Sequence, residues 1–434
     1  MHIEMNCKTS LKILHLSIVM VVLTIIQGCI SKNQDRIILS CNEDNDLYRV
    51  LKENKIDCAR YDTPEEAINK AAVQSGVMIL ADNYPGKATM IDSSLMARAR
   101  SKKLKLYIEY PSWLPGLTTG SPRATTLERV VVTTDAIEHL TRMQILALHD
   151  CNYVPVKAGN PLLAVSKVAG FDHAVYGLDK DADVNAILFE LPAERMLIST
   201  TKLSQFVSAR YAPKEAMQAI WSYIFGWLED GRLPAMVPEW TPDVIPSYTR
   251  EQSLPVNAGR LAVQRGIDWH TNAKMLLSEQ GWEEYKKLWN LNDSNIHTTV
   301  TSVNNAAPQP NALPGDGSFG VLEGIASHVN LDGSQPTRWW LRSDSNGESS
   351  LAFALRWAMD GDSLSKTVAG NLLDWLYFTS GLFQNDPEKA NYGLLFWAPG
   401  NAQALYQDND VKAILGVIGT SGILNTDRWN DVLI

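Results

Sequence analysis

Hydrophobic positions change their period along the chain, and the changes mark its parts. Between Arg36 and about Asp230, short apolar runs alternate with segments of helical spacing. Arg36–Ser40, Val77–Ala81 and Leu104–Tyr110 are almost continuously apolar, which predicts strands covered on both faces. Arg129–Thr133, Ile145–His149, Leu162–Lys167, Ala186–Glu190 and Met196–Thr200 are further strand candidates. Leu47–Asn54 and Glu65–Ala72 are spaced as helices, the second opened by Thr63 as cap and Pro64 in its first turn. From Pro213 to Leu228, residues Met217, Ile220, Trp221, Ile224 and Leu228 form one apolar stripe. The alternation predicts an α/β layered domain over residues 36–230 with a central, largely parallel sheet.

Residues 231–256 carry Pro234, Pro238, Pro242, Pro246 and Pro255, a spacing that blocks helix and favours an extended connector. Beyond it, residues 257–434 read as mostly helical: Ala258–His270, Asn272–Leu291, Ser349–Met359, Leu364–Ser380 and Asp410–Leu424. A Thr-, Asn- and Pro-rich loop, Ile296–Ser318, interrupts them. Helical hairpins packed in series are the expected architecture, making a multidomain chain of α/β followed by all-α. A full toroid of six hairpins needs roughly 300 residues, and about 180 follow the connector. The pattern therefore predicts an incomplete barrel in a truncated product, or else a smaller helical domain complete as written.

Residues 1–28 have a different pattern. Lys8 and Lys12 precede an apolar run from Leu14 to Ile26, shorter than the roughly 20 residues of a membrane span. The run ends in Ile26-Gln27-Gly28-Cys29, which resembles the lipobox of bacterial lipoproteins. That resemblance implies an export signal, cleavage after Gly28, diacylation of Cys29 and a mature body tethered to a membrane of the cell envelope. Cys41, Cys58 and Cys151 then remain, permitting at most one bridge, for which Cys41 and Cys58 are the candidates.

Composition narrows the function classes. The 434 residues are 45% hydrophobic and 20% charged, which excludes a disordered chain. A net charge of -9 without a long basic run argues against a nucleic-acid partner. Thirteen Trp residues gather mostly in the second half, where a sugar-stacking site or an aromatic core would use them. Metal and cofactor chemistry find no support. His-Glu-x-x-His is absent, and Asp179–Asp183 lacks the Gly and closing Glu of a calcium loop. Gly315-Asp-Gly-Ser-Phe-Gly320 follows a Pro-rich loop and not the strand that a dinucleotide fingerprint requires.

The strand and helix order of residues 36–230 is similar to the class I glutamine-amidotransferase-like fold. That family uses a Cys on a sharp turn after a strand. Here the comparable strand, Lys105–Tyr110, runs into Pro111-Ser112-Trp113-Leu114-Pro115-Gly116 without a Cys. The resemblance thus implies a non-catalytic, structural or docking domain.

The densest chemistry lies in Gly315–Gly324, Asp332–Pro336 and Arg338–Ser350. Glycines that admit close backbone approach stand beside carboxylates, with paired Arg and Trp residues flanking them. Asp344 or Ser345 would cap a helix starting near Gly347, with Glu348 in its first turn. The Asp-x-Asn-Gly-Glu and Asp-Gly-Ser stretches and the hairpin plan resemble the six-hairpin (α/α)6-barrel glycosidases and related uronic-acid-active enzymes. This resemblance implies an acidic cleft walled by aromatic side chains. Glycoside hydrolysis uses two carboxyl groups, and Asp344 with Glu348 is the leading pair. Asp316, Glu323 and Asp332 stand as alternative partners, since one helical turn would hold the leading pair close together. A helix cap and its dipole partner would account for the same two residue types. Trp340, as the one of the adjacent Trp339 and Trp340 that faces a cleft, and Trp397 are candidate sugar platforms. Arg338 and Arg342 are placed to clamp a uronate carboxylate or to neutralise the acids, and Asp332 to contact substrate. The expected activity is general acid–base hydrolysis of a polysaccharide or oligosaccharide. A non-catalytic glycan-binding lipoprotein and a polysaccharide lyase are the alternatives.

Overall fold

The computed structural model describes residues 37–434 except 126–127, 149, 168–183, 209, 231–235, 250, 293–294, 296–305, 327–328, 331, 402–403 and 434. The segment expected to direct export, with Cys29, the Asp179–Asp183 stretch and the start of the Pro-rich connector lie outside the described residues. Two compact units are present. One comprises residues up to Ile245 together with Val329–Gly333; the other comprises Pro246–His328 and Ser334–Ile434. The division falls inside the Pro-rich stretch.

The first unit is built on a nine-stranded sheet. Its strands are β1 (Ile37–Ser40), β2 (Cys58–Tyr61), β3 (Gly76–Ile79), β4 (Lys105–Glu109), β6 (Glu128–Val132), β7 (Ile145–Leu146), β9 (Leu163–Lys167), β10 (Ala186–Leu191) and β11 (Met196–Ser199). The short strands β5 (Arg123–Ala124) and β8 (Asn152–Tyr153) pair separately. In space the order is β2-β1-β3-β4-β11-β10-β9-β6-β7. The first five strands pair in parallel, and the remaining pairings are antiparallel. The parallel expectation therefore holds over half the sheet. It fails beyond β11, where only residues 192–195 separate β10 from β11, too few for a crossover, so the chain reverses direction there.

Residue alternation explains why the parallel half reads as continuously apolar. Ile37, Leu39, Met78 and Tyr107 join one core with helices α1 (Asp46–Glu53) and α4 (Lys214–Glu229). Ile38, Val77, Ile79 and Ile108 join the opposite core with α2 (Pro64–Lys70) and α3 (Ser93–Ser101). Period-two alternation with both faces covered leaves polar positions mainly at the strand ends, as at Ser40 and Glu109. The caps follow the sequence signals: the Thr63 hydroxyl accepts from the Glu66 N–H, with Pro64 opening α2. Cys41, Cys58 and Cys151 are buried and in no disulfide, so the Cys41–Cys58 bridge allowed by the count is not formed.

The second unit holds α5 (Ala258–Asn272), α6 (Glu279–Trp289), α7 (Ser343–Asp360), α8 (Ser363–Asp374) and α9 (Gln407–Leu424). A three-stranded ribbon joins β12 (Ala306–Ala307), β14 (Thr337–Arg338) and β13 (Gly324–Ile325). Helix α7 begins at Ser343, earlier than the periodicity indicates, and α6 is shorter than expected because Lys274 takes φ +55 after α5. The last turn after α8, Trp375–Thr379, widens into π geometry. α7 packs on both α8 and α9. At the α7–α9 crossing the backbones touch. A Cβ on Gly347 would lie 2.7 Å from Ala413 Cα, and one on Gly416 would lie 2.3 Å from Gly347 O. Among the described residues no helix is long and apolar enough to cross a membrane.

Candidate functional site

The N-terminal mouth of α7 gathers most of the residues singled out in the sequence. The ribbon does the first part of the work. Gly324 pairs with Arg338, and the Glu323 N–H donates to Trp340 O (2.8 Å), so Glu323 and Arg338 emerge side by side. Asn346 pins the Gly320–Val321 turn to the helix: its amide donates to Arg342 O (2.7 Å) and its oxygen accepts from Val321 N (2.9 Å). The Ser343 N–H reaches Trp397 O (2.9 Å), which brings in the loop before α9.

Arg342 is the hub of the resulting cluster. Nη1 donates to Glu323 Oε1 (3.1 Å) and Nη2 to Asp344 Oδ2 (2.7 Å), while the guanidinium lies 5.5 Å from the Trp397 ring centroid. Asp344 is buried; its Oδ1 accepts from Ser345 N (2.8 Å), and Lys412 Nζ stands 3.6 Å from Oδ2. Asn409 completes the shell when its amide nitrogen faces Asp344 Oδ2 (3.0 Å) and its oxygen accepts from Trp397 Nε1 (3.1 Å). Arg338 Nε approaches Glu323 Oε2 to 3.2 Å, an ion pair without hydrogen-bond geometry. Tyr406, 49% exposed, meets Trp397 edge-on at 6.0 Å.

The carboxyl groups that the structure brings together are thus Glu323 and Asp344, on the two arms of one guanidinium. Glu348, one turn further along α7, is exposed and takes no part in these contacts. Asp344 does not cap α7 either: Arg342 occupies the cap position and no side chain accepts there. Asp316 is exposed elsewhere, on the rim of a separate cleft, where its carboxylate accepts from Ser318 N (3.1 Å). Asp332 belongs to the stretch grouped with the first unit. Trp339 and Trp340 are both buried. Trp340 packs 3.9 Å from Trp289 and 4.6 Å from Trp397 between ring centroids, and Trp339 donates to Pro308 O (2.8 Å). Trp340 is therefore a backing for Trp397 and not itself a platform.

Asn409, Lys412 and Tyr406 escaped sequence reasoning. The first two are spaced as one face at the start of a helix, but only the α7–α9 crossing shows which acid they meet. The first unit also carries an unforeseen carboxyl group. Glu109, fully buried at the end of β4, accepts from Ser204 N (2.8 Å), Ser204 Oγ (2.7 Å) and Tyr107 OH (3.0 Å). Burial pushes its pKa up to about 7, against lowering by the Ser204 donors, by Lys202 and by the Ala81 N–H. Tyr110 follows it with φ +49, a left-handed backbone that residues other than glycine rarely adopt. No group of three metal-ligating side chains occurs among the described residues. No family profile matches the chain, and comparison with curated proteins finds no match.

Proposed function

We propose that the protein is a glycan-binding lipoprotein, tethered through lipid on Cys29, whose second unit recognises carbohydrate at the α7 mouth. One observation carries the reading: Trp397 and Tyr406 present aromatic surface beside Arg338, whose side chain is 45% exposed, while Arg342 and Asn409 orient Trp397 from behind. Aromatic rings take the apolar face of a sugar, and a guanidinium edge takes a carboxylate bidentately. A glycan containing uronic acid satisfies both groups. Glu323 and Asp344 hold the two arginines in place, so the acids serve as anchors of the surface.

Hydrolysis is the second reading, favoured by the pairing of Glu323 and Asp344 at one guanidinium. It assigns the acid–base pair to these two residues, in place of Asp344 and Glu348. Titration of uronate-rich and neutral oligosaccharides into the chain from Ile30 onward tests both readings, with sugar release measured in parallel. Retention without release, lost in Arg338→Ala and Trp397→Ala, is the expected result. Release abolished by Glu323→Gln would replace binding with hydrolysis. Neither retention nor release would refute both.

A further inference from the structure

A second concave feature lies wholly within the second unit: a cleft of about 550 Å³ between α5, the start of α6, the Pro314–Phe319 loop and the start of α8. Its volume falls in the range of roughly 300–1,000 Å³ typical of small-molecule sites. Ile267, Leu276, Phe319, Phe353 and Val368 form an apolar floor. The loop wall depends on glycine. A Cβ at Gly315 would meet Leu277 O at 2.1 Å, and Gly317 takes φ +92, so this loop lies directly on the chain that leads into α6.

The rim carries Asp268, Glu279, Asp316 and Asp362, and no Lys, Arg or His lines the cleft. Two of these carboxylates have structural duties: Asp362 caps α8 and Asp316 closes its own turn. Glu279 sits in the first turn of α6, where a negative charge is favourable. Asp268 has no such explanation. It lies near the C-terminus of α5, where a carboxylate opposes the helix dipole. Among the described residues it makes no hydrogen bond or ion pair, and the same is true of Glu279. An anion is repelled here, and a bare sugar finds few polar partners on the floor.

We propose that this cleft binds an organic cation with an apolar body, of arylalkylamine size. The apolar part covers the floor, the Phe319 and Phe353 rings offer cation–π contact, and Asp268 and Glu279 compensate the charge. The site shares no residue with the surface around Trp397, so it stands or falls independently of glycan binding.

Calorimetric titration of the full chain with phenethylammonium and benzyltrimethylammonium is the test, with 2-phenylethanol and 3-phenylpropionate as neutral and anionic isosteres. Both cations are expected to bind about ten-fold or more tightly than the isosteres, with affinity falling as salt rises. The exposed changes Asp268→Asn and Glu279→Gln together should weaken cation binding by about ten-fold. Leu364→Arg, at a rim position 59% exposed, places a competing cation in the cleft and should abolish it. Equal binding of cation and neutral isostere, or affinity unmoved by Asp268→Asn and Glu279→Gln, would overturn the proposal. So would absence of cation binding at about 10 mM.

Discussion

Glu109 makes the stability of the first unit depend on pH in a direction opposite to that of an ion-paired carboxylate. Burial raises its pKa from an ordinary 4.5 to about 7, so the folded state holds a proton that the unfolded chain releases. The contribution is complete below about pH 4.5, is lost as pH rises toward 7, and is flat beyond. A rise of this size corresponds to about 3 kcal/mol, of which about 2 to 3 kcal/mol disappears between pH 5 and pH 8. Asp46 and Asp82 are also raised by burial, so wild type must be compared with Glu109→Gln. The glutamine keeps an acceptor for Ser204 N and cannot ionise. Hydrogen exchange of the β4 amides, corrected for intrinsic rates, isolates the first unit from the second. Wild type should lose protection from pH 5 to pH 8 while the variant loses less by about 2 to 3 kcal/mol. Parallel profiles for the two proteins would refute the reasoning, as would wild-type protection rising relative to the variant.

The helix crossing, the ion cluster and the thiols yield further expectations. Gly347→Ala places a Cβ against the Ala413 backbone, so overpacking outweighs the gain in helix propensity and should cost the second unit about 2 kcal/mol in urea denaturation. Gly422→Ala, on the partner helix α9 with open space around it, should instead stabilise by about 0.5–1 kcal/mol. Arg342→Ala leaves buried Asp344 without its closest cation and should cost about 2 kcal/mol, discounted for the partial exposure of the arginine. Arg342→Lys should recover only part of that, because an ammonium cannot reach both acids with a fixed fork. Burial pushes the Cys41 thiol up to about 12, so Cys41 should resist iodoacetamide near pH 8 in the native protein and react once unfolded in urea.

Period alone revealed the layered half of the first unit, because strands such as Leu104–Tyr110 are buried on both faces and helices such as α4 on one. Sheet order was not legible: nothing local in Arg129–Thr133 says that β6 pairs with β9, since pairing is settled by distant partners. Strand β2 and helix α3 went unread because Cys58–Tyr61 alternates with Arg60, and Ser93–Ser101 has only a weak apolar stripe. In the second unit the density of charge at Arg338–Glu348 drew attention to the α7 mouth, where Arg342, Asp344 and Glu323 meet. Which acids meet was not readable from spacing. Asp344 and Glu348 are neighbours on a helix, yet Asp344 turns inward toward α9 and Glu348 outward. The true neighbour, Glu323, arrives through the ribbon pairing of Gly324 with Arg338.

The glycine contact between α7 and α9 has a consequence for change over generations. Because main chain rests on main chain at Gly347 and Gly416, the offset between the helices is set without large side chains. Asn409 and Lys412, one to two turns upstream on α9, inherit their distance to Asp344 from that fixed offset. Outward residues such as Tyr406 and Arg338 can therefore mutate without altering how the helices are aligned. The side-chain chemistry presented at this surface is free to drift, while the two glycines beneath it are not.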